Sequence, residues 1–127
     1  MIYNWNSRTE LLLGKERLER FSEAHVLVVG LGGVGAYAAE QICRVGIGQM
    51  TIVDADTVNE SNLNRQLPAL HSTLGEPKAE VVAARLMDIN PELKLTVVNE
   101  FLRDERTEEI LDHAHYDFIV DAIDSLS

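Results

Sequence analysis

Apolar positions along this chain change their spacing several times, and each change marks an element. Over the first twenty residues Leu11, Leu12, Leu13, Leu18 and Phe21 form a helical apolar face interrupted at Gly14. Ser7 followed by Glu10 has the spacing of a capping box. Residues 25–29 (HVLVV) are a short β-branched run, the pattern of a strand buried on both faces. A glycine-rich turn, Gly30-Leu31-Gly32-Gly33-Val34-Gly35, ends that run, and a helix is expected from it through Arg44, closed by Gly46 and Gly48. A second strand is expected at 50–53. The stretch 57–77 is polar and turn-rich, which predicts a long loop carrying short helical turns. The spacing of Val81, Val82, Leu86 and Ile89 predicts a helix over 78–89, stopped by Asn90-Pro91. A strand at 93–98, a helix at 104–113 and a strand at 117–122 complete the pattern.

The order is therefore a helical segment followed by βαβαβαβ. Strands that alternate with helices predict a parallel sheet with right-handed crossovers, an α/β fold of doubly wound type with helices on both faces. The 127 residues are read as one domain, a helical lead-in at 1–23 and a nucleotide-binding unit at 24–127. A parallel sheet needs cover on both faces, and no helix follows the fourth strand. The expectation is that these residues are the N-terminal part of a longer protein, or that a partner chain supplies the cover.

Composition narrows the class. Apolar residues are 46% and charged residues 25%, ordinary for a globular protein and unlike a disordered one. The weakly polar stretch 26–39 holds four glycines and is too short to span a bilayer. The N-terminus MIYNWNSRTE has neither the basic flank nor the apolar core of a secretory signal. The single cysteine, Cys43, excludes an internal disulfide. These features predict a cytoplasmic protein with no membrane partner. Acidic residues outnumber basic ones 21 to 11, a net charge of −10 that opposes broad contact with polyanions. Between positions 100 and 124 nine carboxylates face only Arg103 and Arg106. Where the few cations fall is therefore informative.

Gly30, Gly32 and Gly35 make G-x-G-x-x-G between a predicted strand and a predicted helix. In that context the first glycine allows the tight turn and the second lets the backbone approach a phosphate or ribose. The third lets the helix pack near the strand, and the helix N-terminus then faces the ligand. Asp54, nineteen residues beyond Gly35 and at the end of the second strand, is placed to accept hydrogen bonds from ribose hydroxyls, with Asp56 a weaker candidate for the ribose or for ordering the loop. This element predicts a nucleotide without choosing between NAD and ATP. Ser61-Asn62-Leu63-Asn64-Arg65-Gln66 and Gly75-Glu76-Pro77-Lys78 favour ATP, because a triphosphate carries more charge than a dinucleotide and calls for an arginine and a lysine. Asp124, at the carboxyl end of the fourth strand, suits a Mg²⁺ ion bridging phosphates.

Taken together, GLGGVG, the DAD after strand two, SNLNRQ, GEPK and VDAID resemble the ubiquitin-activating-enzyme-like adenylating proteins, the HesA/MoeB/ThiF family. The motifs keep their order and cover nearly the whole chain. The resemblance implies a Rossmann-like fold that binds ATP, and attack of a carboxylate on the α-phosphate to give an acyl adenylate and pyrophosphate. It assigns Gly33 and Asp54 to adenosine, and Asn62, Asn64 and Arg65 to the phosphates with Lys78 as their partner. Asp124 is assigned to Mg²⁺. Arg8 matches an arginine that reaches the ATP of a neighbouring subunit, which implies a homodimer. The Ala24-His25-Val26 strand entry, the helix start 35–40 and the run 64–70 look most like the branch that cyclises threonylcarbamoyladenosine in tRNA with loss of water. The alternative branch adenylates the C-terminal glycine of a ubiquitin-like sulfur-carrier protein, and a remoter alternative is an NAD-binding domain.

Other reactive residue types read as structural. Cys43 falls among Ile42 and Val45 on the helix after the glycine loop and is expected to be a buried, inert thiol. His113 and His115 lack the spacing of a metal site. Trp5 and Tyr3 are expected at a subunit contact, and Asp121 beside Asp124. His71 neighbours the phosphate-facing loop. Arg8, Lys15, Arg17 and Arg20 are interleaved with Glu10, Glu16 and Glu19 and are expected to form a solvated helix face with i,i+4 pairs.

Overall fold

A computed structural model describes Trp5 and residues 7–123; Tyr3 and Asp124 lie outside the described residues. Two short helices, α1 (Ser7–Leu13) and α2 (Lys15–Ser22), lead in, followed by β1 (His25–Val29), α3 (Gly33–Val45), β2 (Gln49–Val53), α4 (Lys78–Ile89), β3 (Lys94–Val98), α5 (Asp104–His113) and β4 (Phe118–Asp121). Gly14, with φ of 88°, separates α1 from α2. Left-handed backbone costs glycine nothing, so the apolar pattern turns a corner there. Ser7 is the first residue of α1 rather than its cap. The loop between β2 and α4 carries two 3₁₀ turns, Glu60–Asn62 and His71–Thr73.

The four strands are parallel in the order β3-β2-β1-β4. β1 is central, and all five of its residues are buried. That is why its sequence is a continuous apolar run rather than an alternating one. Val26 and Val28 face one side with Met50 and Ile52, packed under Ala36, Ala39 and Cys43 of α3 and Val82 and Leu86 of α4. Leu27, Val29 and Val53 face the other side, packed with Ile110 of α5, Leu102 and Tyr116. Helices thus lie on both faces. β4 is an outer strand on which Phe118 and Ile119 are exposed.

At the amino-terminal edge of the sheet His25 is buried. Its Nε2 lies 2.8 Å from Thr51 Oγ1, and its ring tilts against Tyr116 with centroids 4.6 Å apart. Its backbone N–H donates to Asp117 Oδ2 at 2.8 Å, and the Asp117 N–H donates back to the His25 carbonyl. Cys43 is buried as expected, and burial pushes its thiol up to about 11. Among the described residues no group of three or more His, Cys, Asp or Glu is arranged to hold a metal ion. Also among them, no helix is long and apolar enough to cross a membrane.

One expectation needs correction. Arg8, Lys15, Arg17 and Arg20 are exposed, but among the described residues they form no ion pair, and the i,i+4 partners are not engaged. Exposed pairs on long side chains gain only about 0–1 kcal/mol, which hardly repays the fixing of two flexible chains.

Candidate functional site

The site forms at the carboxyl edge of the sheet, where β1 and β2 hand over to helices. β1 ends at Gly30, whose φ of 93° turns the chain and whose N–H donates to the Val53 carbonyl at 2.8 Å. A Cβ on Gly30 would fall 2.7 Å from the Ala122 carbonyl oxygen, and one on Gly35 only 1.6 Å from the Gly30 carbonyl oxygen. These two glycines are thus required by backbone crossing backbone. Gly33 differs. A Cβ there meets nothing within 4 Å, and Val34 beside it is 74% exposed. The first turn of α3 is therefore open. No side chain caps it, no acidic residue lies in it, and Gly32 occupies its N-cap position. Uncapped amides at the start of a 13-residue helix make an anion-binding end.

Asp54 braces this loop. Its Oδ2 accepts from the Leu31 N–H at 2.7 Å and its Oδ1 from the Asp56 N–H at 2.7 Å. Each oxygen keeps further acceptor capacity, which leaves Asp54 compatible with a ribose contact. The network continues: the Asp56 carbonyl accepts from the Lys78 N–H at 2.9 Å, and Asp56 Oδ2 lies 3.9 Å from Lys78 Nζ. Lys78 is only 5% exposed. Its side chain is packed away while the carboxylate that faces its ammonium stands 3.9 Å off, so the positive charge is held at the loop without close neutralisation, and a nearby anion would be favoured there. A bridge between Thr57 and Pro77, with Val58 N–H donating to Glu76 O, closes the long loop and pins the lysine against the end of β2.

The polar run 61–66 folds as a turn over the loop. Asn62 is buried, and its Oδ1 accepts from the Asn59 N–H at 3.0 Å, so it shapes the turn. Ser61 Oγ donates to Asn59 Oδ1. Arg65 is exposed, and its Nη1 donates to the Ser61 carbonyl at 2.9 Å and to Asn64 Oδ1 at 3.0 Å. Gln66 lies against Gly32: its Nε2 is 3.1 Å from where a Gly32 Cβ would be, and its Oε1 is buried without a partner.

Gly30, Gly32, Gly33, Gly35, Asp54, Asp56, Gln66 and Lys78 are thus joined by direct contacts or by adjacency in the loop. Ser61, Asn62, Asn64 and Arg65 share the turn that delivers Gln66. Arg8 stands apart, exposed in the first turn of α1, which packs on α2. His71 is exposed in its 3₁₀ turn, and Asp121 Oδ1 accepts from the Ile123 N–H. What the sequence did not announce is the continuous link from Leu31 through Asp54 and Asp56 to Lys78. The Asp56 and Lys78 positions are separated by a long loop, and no spacing rule connects them.

A glycine-loop nucleotide fold with an uncapped helix end and a buried lysine defines a class, and comparison with known proteins places the chain within it. The ThiF family model matches residues 4–127, and the chain belongs to that family. It is 44% identical over 120 residues to tRNA threonylcarbamoyladenosine dehydratase of Bacillus subtilis, covering 94% of this chain and 47% of that protein. It is 39% identical over 112 residues to molybdopterin-synthase adenylyltransferase of Salmonella typhimurium, covering 88% of this chain and 44% of that protein. Its structure is similar to that of Escherichia coli tRNA N6-threonylcarbamoyladenosine dehydratase in complex with ATP, with a TM-score of 0.93 and 41% identity over 98% of this chain and 53% of that one. The chain spans about half the length of these relatives.

Proposed function

We propose that residues 1–127 are the N-terminal ATP-binding part of an adenylating enzyme, and that the whole protein dehydrates threonylcarbamoyladenosine in tRNA. The observation that carries the nucleotide reading is the pairing of the open, uncapped start of α3 with the buried Lys78. The tRNA reading rests on the similarity to dehydratases of Bacillus subtilis and Escherichia coli at 44% and 43% identity.

In this reading Gly33 and Asp54 hold adenosine, with Gly30, Gly32 and Gly35 shaping the loop and Asp56 holding Lys78. Ser61, Asn62, Asn64, Arg65 and Gln66 present the turn that meets the phosphates. The substrate carboxylate attacks the α-phosphate, forming the acyl–O–P bond as the bond to the β-phosphate breaks and pyrophosphate leaves. Negative charge grows on the phosphate oxygens, and Arg65 and Lys78 stabilise it. The adenylated carbonyl is then attacked within the same nucleoside, AMP leaves with the carboxylate oxygen, and the ring closes with net loss of water. Mg²⁺ is commonly held by one or two carboxylates together with substrate phosphates. Asp124 is the carboxylate proposed to hold it, and the ion, when bound, would offset the negative charge of the phosphates. Arg8 is proposed to act across a homodimer.

The test uses full-length protein with threonylcarbamoyladenosine-bearing tRNA, ATP and Mg²⁺. The expected product is a nucleoside lighter by one water, and Arg65→Ala is expected to reduce kcat/KM by about 100-fold. Folded, ATP-binding protein that yields no such product overturns the tRNA reading. Pyrophosphate exchange that depends on a sulfur-carrier protein would move the assignment to the branch of the molybdopterin-synthase adenylyltransferases. Preference for NADH over ATP would remove adenylation altogether.

A further inference from the structure

An ionic clamp, its Arg85 and Arg44 side chains each 50% exposed, joins the two helices whose N-termini form the site. Glu40 of α3 is 8% exposed. Its Oε1 accepts from Arg85 Nε of α4, and its Oε2 lies 3.5 Å from Arg44 Nε on its own helix. The Arg85 hydrogen bond holds the Glu40 carboxyl below the usual carboxylate range, against the opposing effect of burial. The same bond raises the Arg85 guanidinium.

The clamp has a position that packing alone does not require. Glu40 follows Gly33, the first residue of α3, by seven residues, and Arg85 follows Lys78, the first residue of α4, by seven. Both helices start at the carboxyl edge of a parallel sheet, so the pair sits at equal depth below the ligand edge, about 10 Å down each helix. Elsewhere the α3–α4 contact is built from small or smooth side chains. Ala36, Ala39 and Cys43 meet Ala79, Val82 and Leu86, with Cys43 Sγ 3.5 Å from the Leu86 carbonyl oxygen. Alanines offer shallow ridges and tolerate sliding, and a slide of one residue along a helix is about 1.5 Å. Across the helices the contact is one charge-assisted hydrogen bond, Arg85 Nε to Glu40 Oε1, while Arg44 on α3 engages the other oxygen and so orients the carboxylate.

We propose that Glu40, acting through Arg85, is a positioning residue that sets α3 against α4 and thereby the separation of the glycine-loop amides from the Lys78 ammonium. The proposal rests on the ATP reading of the site. A ligand that touches the glycine loop alone does not sense this separation. A triphosphate that spans from the loop to Lys78 does.

The experiment measures ATP and AMP affinity of full-length protein by calorimetry, well below the unfolding temperature, for wild type, Glu40→Gln, Arg85→Met and the double variant. Glu40→Gln keeps the shape of the side chain and removes its charge. The expected result is an approximately tenfold loss of ATP affinity with less than a twofold change for AMP. The double variant is expected to be no worse than the weaker single one, because both changes break one contact. Equal losses for ATP and AMP would mean general loosening of the fold and would overturn the proposal, as would unchanged ATP affinity in Glu40→Gln. Wild-type protein that binds neither nucleotide would refute the ATP reading itself, and the proposal with it. Wild-type binding therefore separates the two failures.

Discussion

Gly33 and Gly35, two positions apart, divide function from structure in the loop. Gly35 has no room for a side chain, since its Cβ would lie 1.6 Å from the Gly30 carbonyl oxygen. That collision is with backbone, and no rotamer relieves it. Gly35→Ala is expected to cost about 3 kcal/mol or more in urea unfolding. Gly33 has open space and helical backbone, so Gly33→Ala is expected to leave stability unchanged or raise it by up to ~1 kcal/mol, while weakening ATP binding by occupying the ligand's side of the loop. Loss of stability in both variants would deny the distinction. Cys43 provides a separate check. With its thiol pushed up to about 11 by burial, it is expected to resist alkylation at pH 8 in folded protein and to react on unfolding. Rapid labelling of the native state would contradict the packing of α3 on α4.

At the scale of elements, the sequence announced nearly every strand and helix, because their apolar spacings are strong and their ends carry Gly, Asn-Pro or charge. HVLVV read as buried on both faces and is buried on both faces. The single helical face over the first twenty residues became two helices, since a glycine with positive φ redirects the chain in a way that spacing does not record. Of the site, the glycine loop was legible as strand, turn and helix in series. The Asp54–Asp56–Lys78 link and the Glu40–Arg85 clamp were not, because each joins elements through the third dimension. The His25 cluster was likewise invisible, and it has a pH signature. Burial lowers the His25 pKa, outweighing the opposing hydrogen bond to the His115 backbone and the Asp117 charge. For a base with a lowered folded pKa, the unfolded chain binds more protons as pH falls. The contribution of His25 is therefore fully present above about pH 6.5 and is lost as pH drops below it toward the folded value. Asp117, lowered chiefly by the His25 N–H, acts in a separate window: its contribution is present above about 3.8 and is lost as pH falls through its folded value. The urea midpoint of wild type is expected to fall more between pH 7.5 and 5.5 than that of His25→Gln. Parallel decreases would show that this imidazole is not the group responsible.

At the scale of the molecule, charge is the feature hardest to reconcile with a tRNA substrate. The chain carries a net charge of −10, and several of its cations are already committed. Arg44 and Arg85 hold Glu40, Arg106 holds Glu100 and Glu109, and Lys78 is buried beside Asp56. The cations without an ion pair among the described residues include Arg8, Lys15, Arg17 and Arg20, all on α1 and α2. The same two helices and the residue after them carry Glu10, Glu16, Glu19 and Glu23, so acids match these cations in number. Such a surface has no net field to attract a phosphate backbone, whose binding strength and salt dependence follow the number of phosphates neutralised. The triple variant Lys15→Ala, Arg17→Ala, Arg20→Ala, made in full-length protein, is therefore expected to keep tRNA affinity within about twofold and to leave the slope of log K against log salt unchanged. ATP affinity serves as the folding control in the same samples. A slope reduced by about one per removed cation, with ATP binding intact, would instead put the tRNA backbone on α1 and α2 and reverse this reading of the acidic excess.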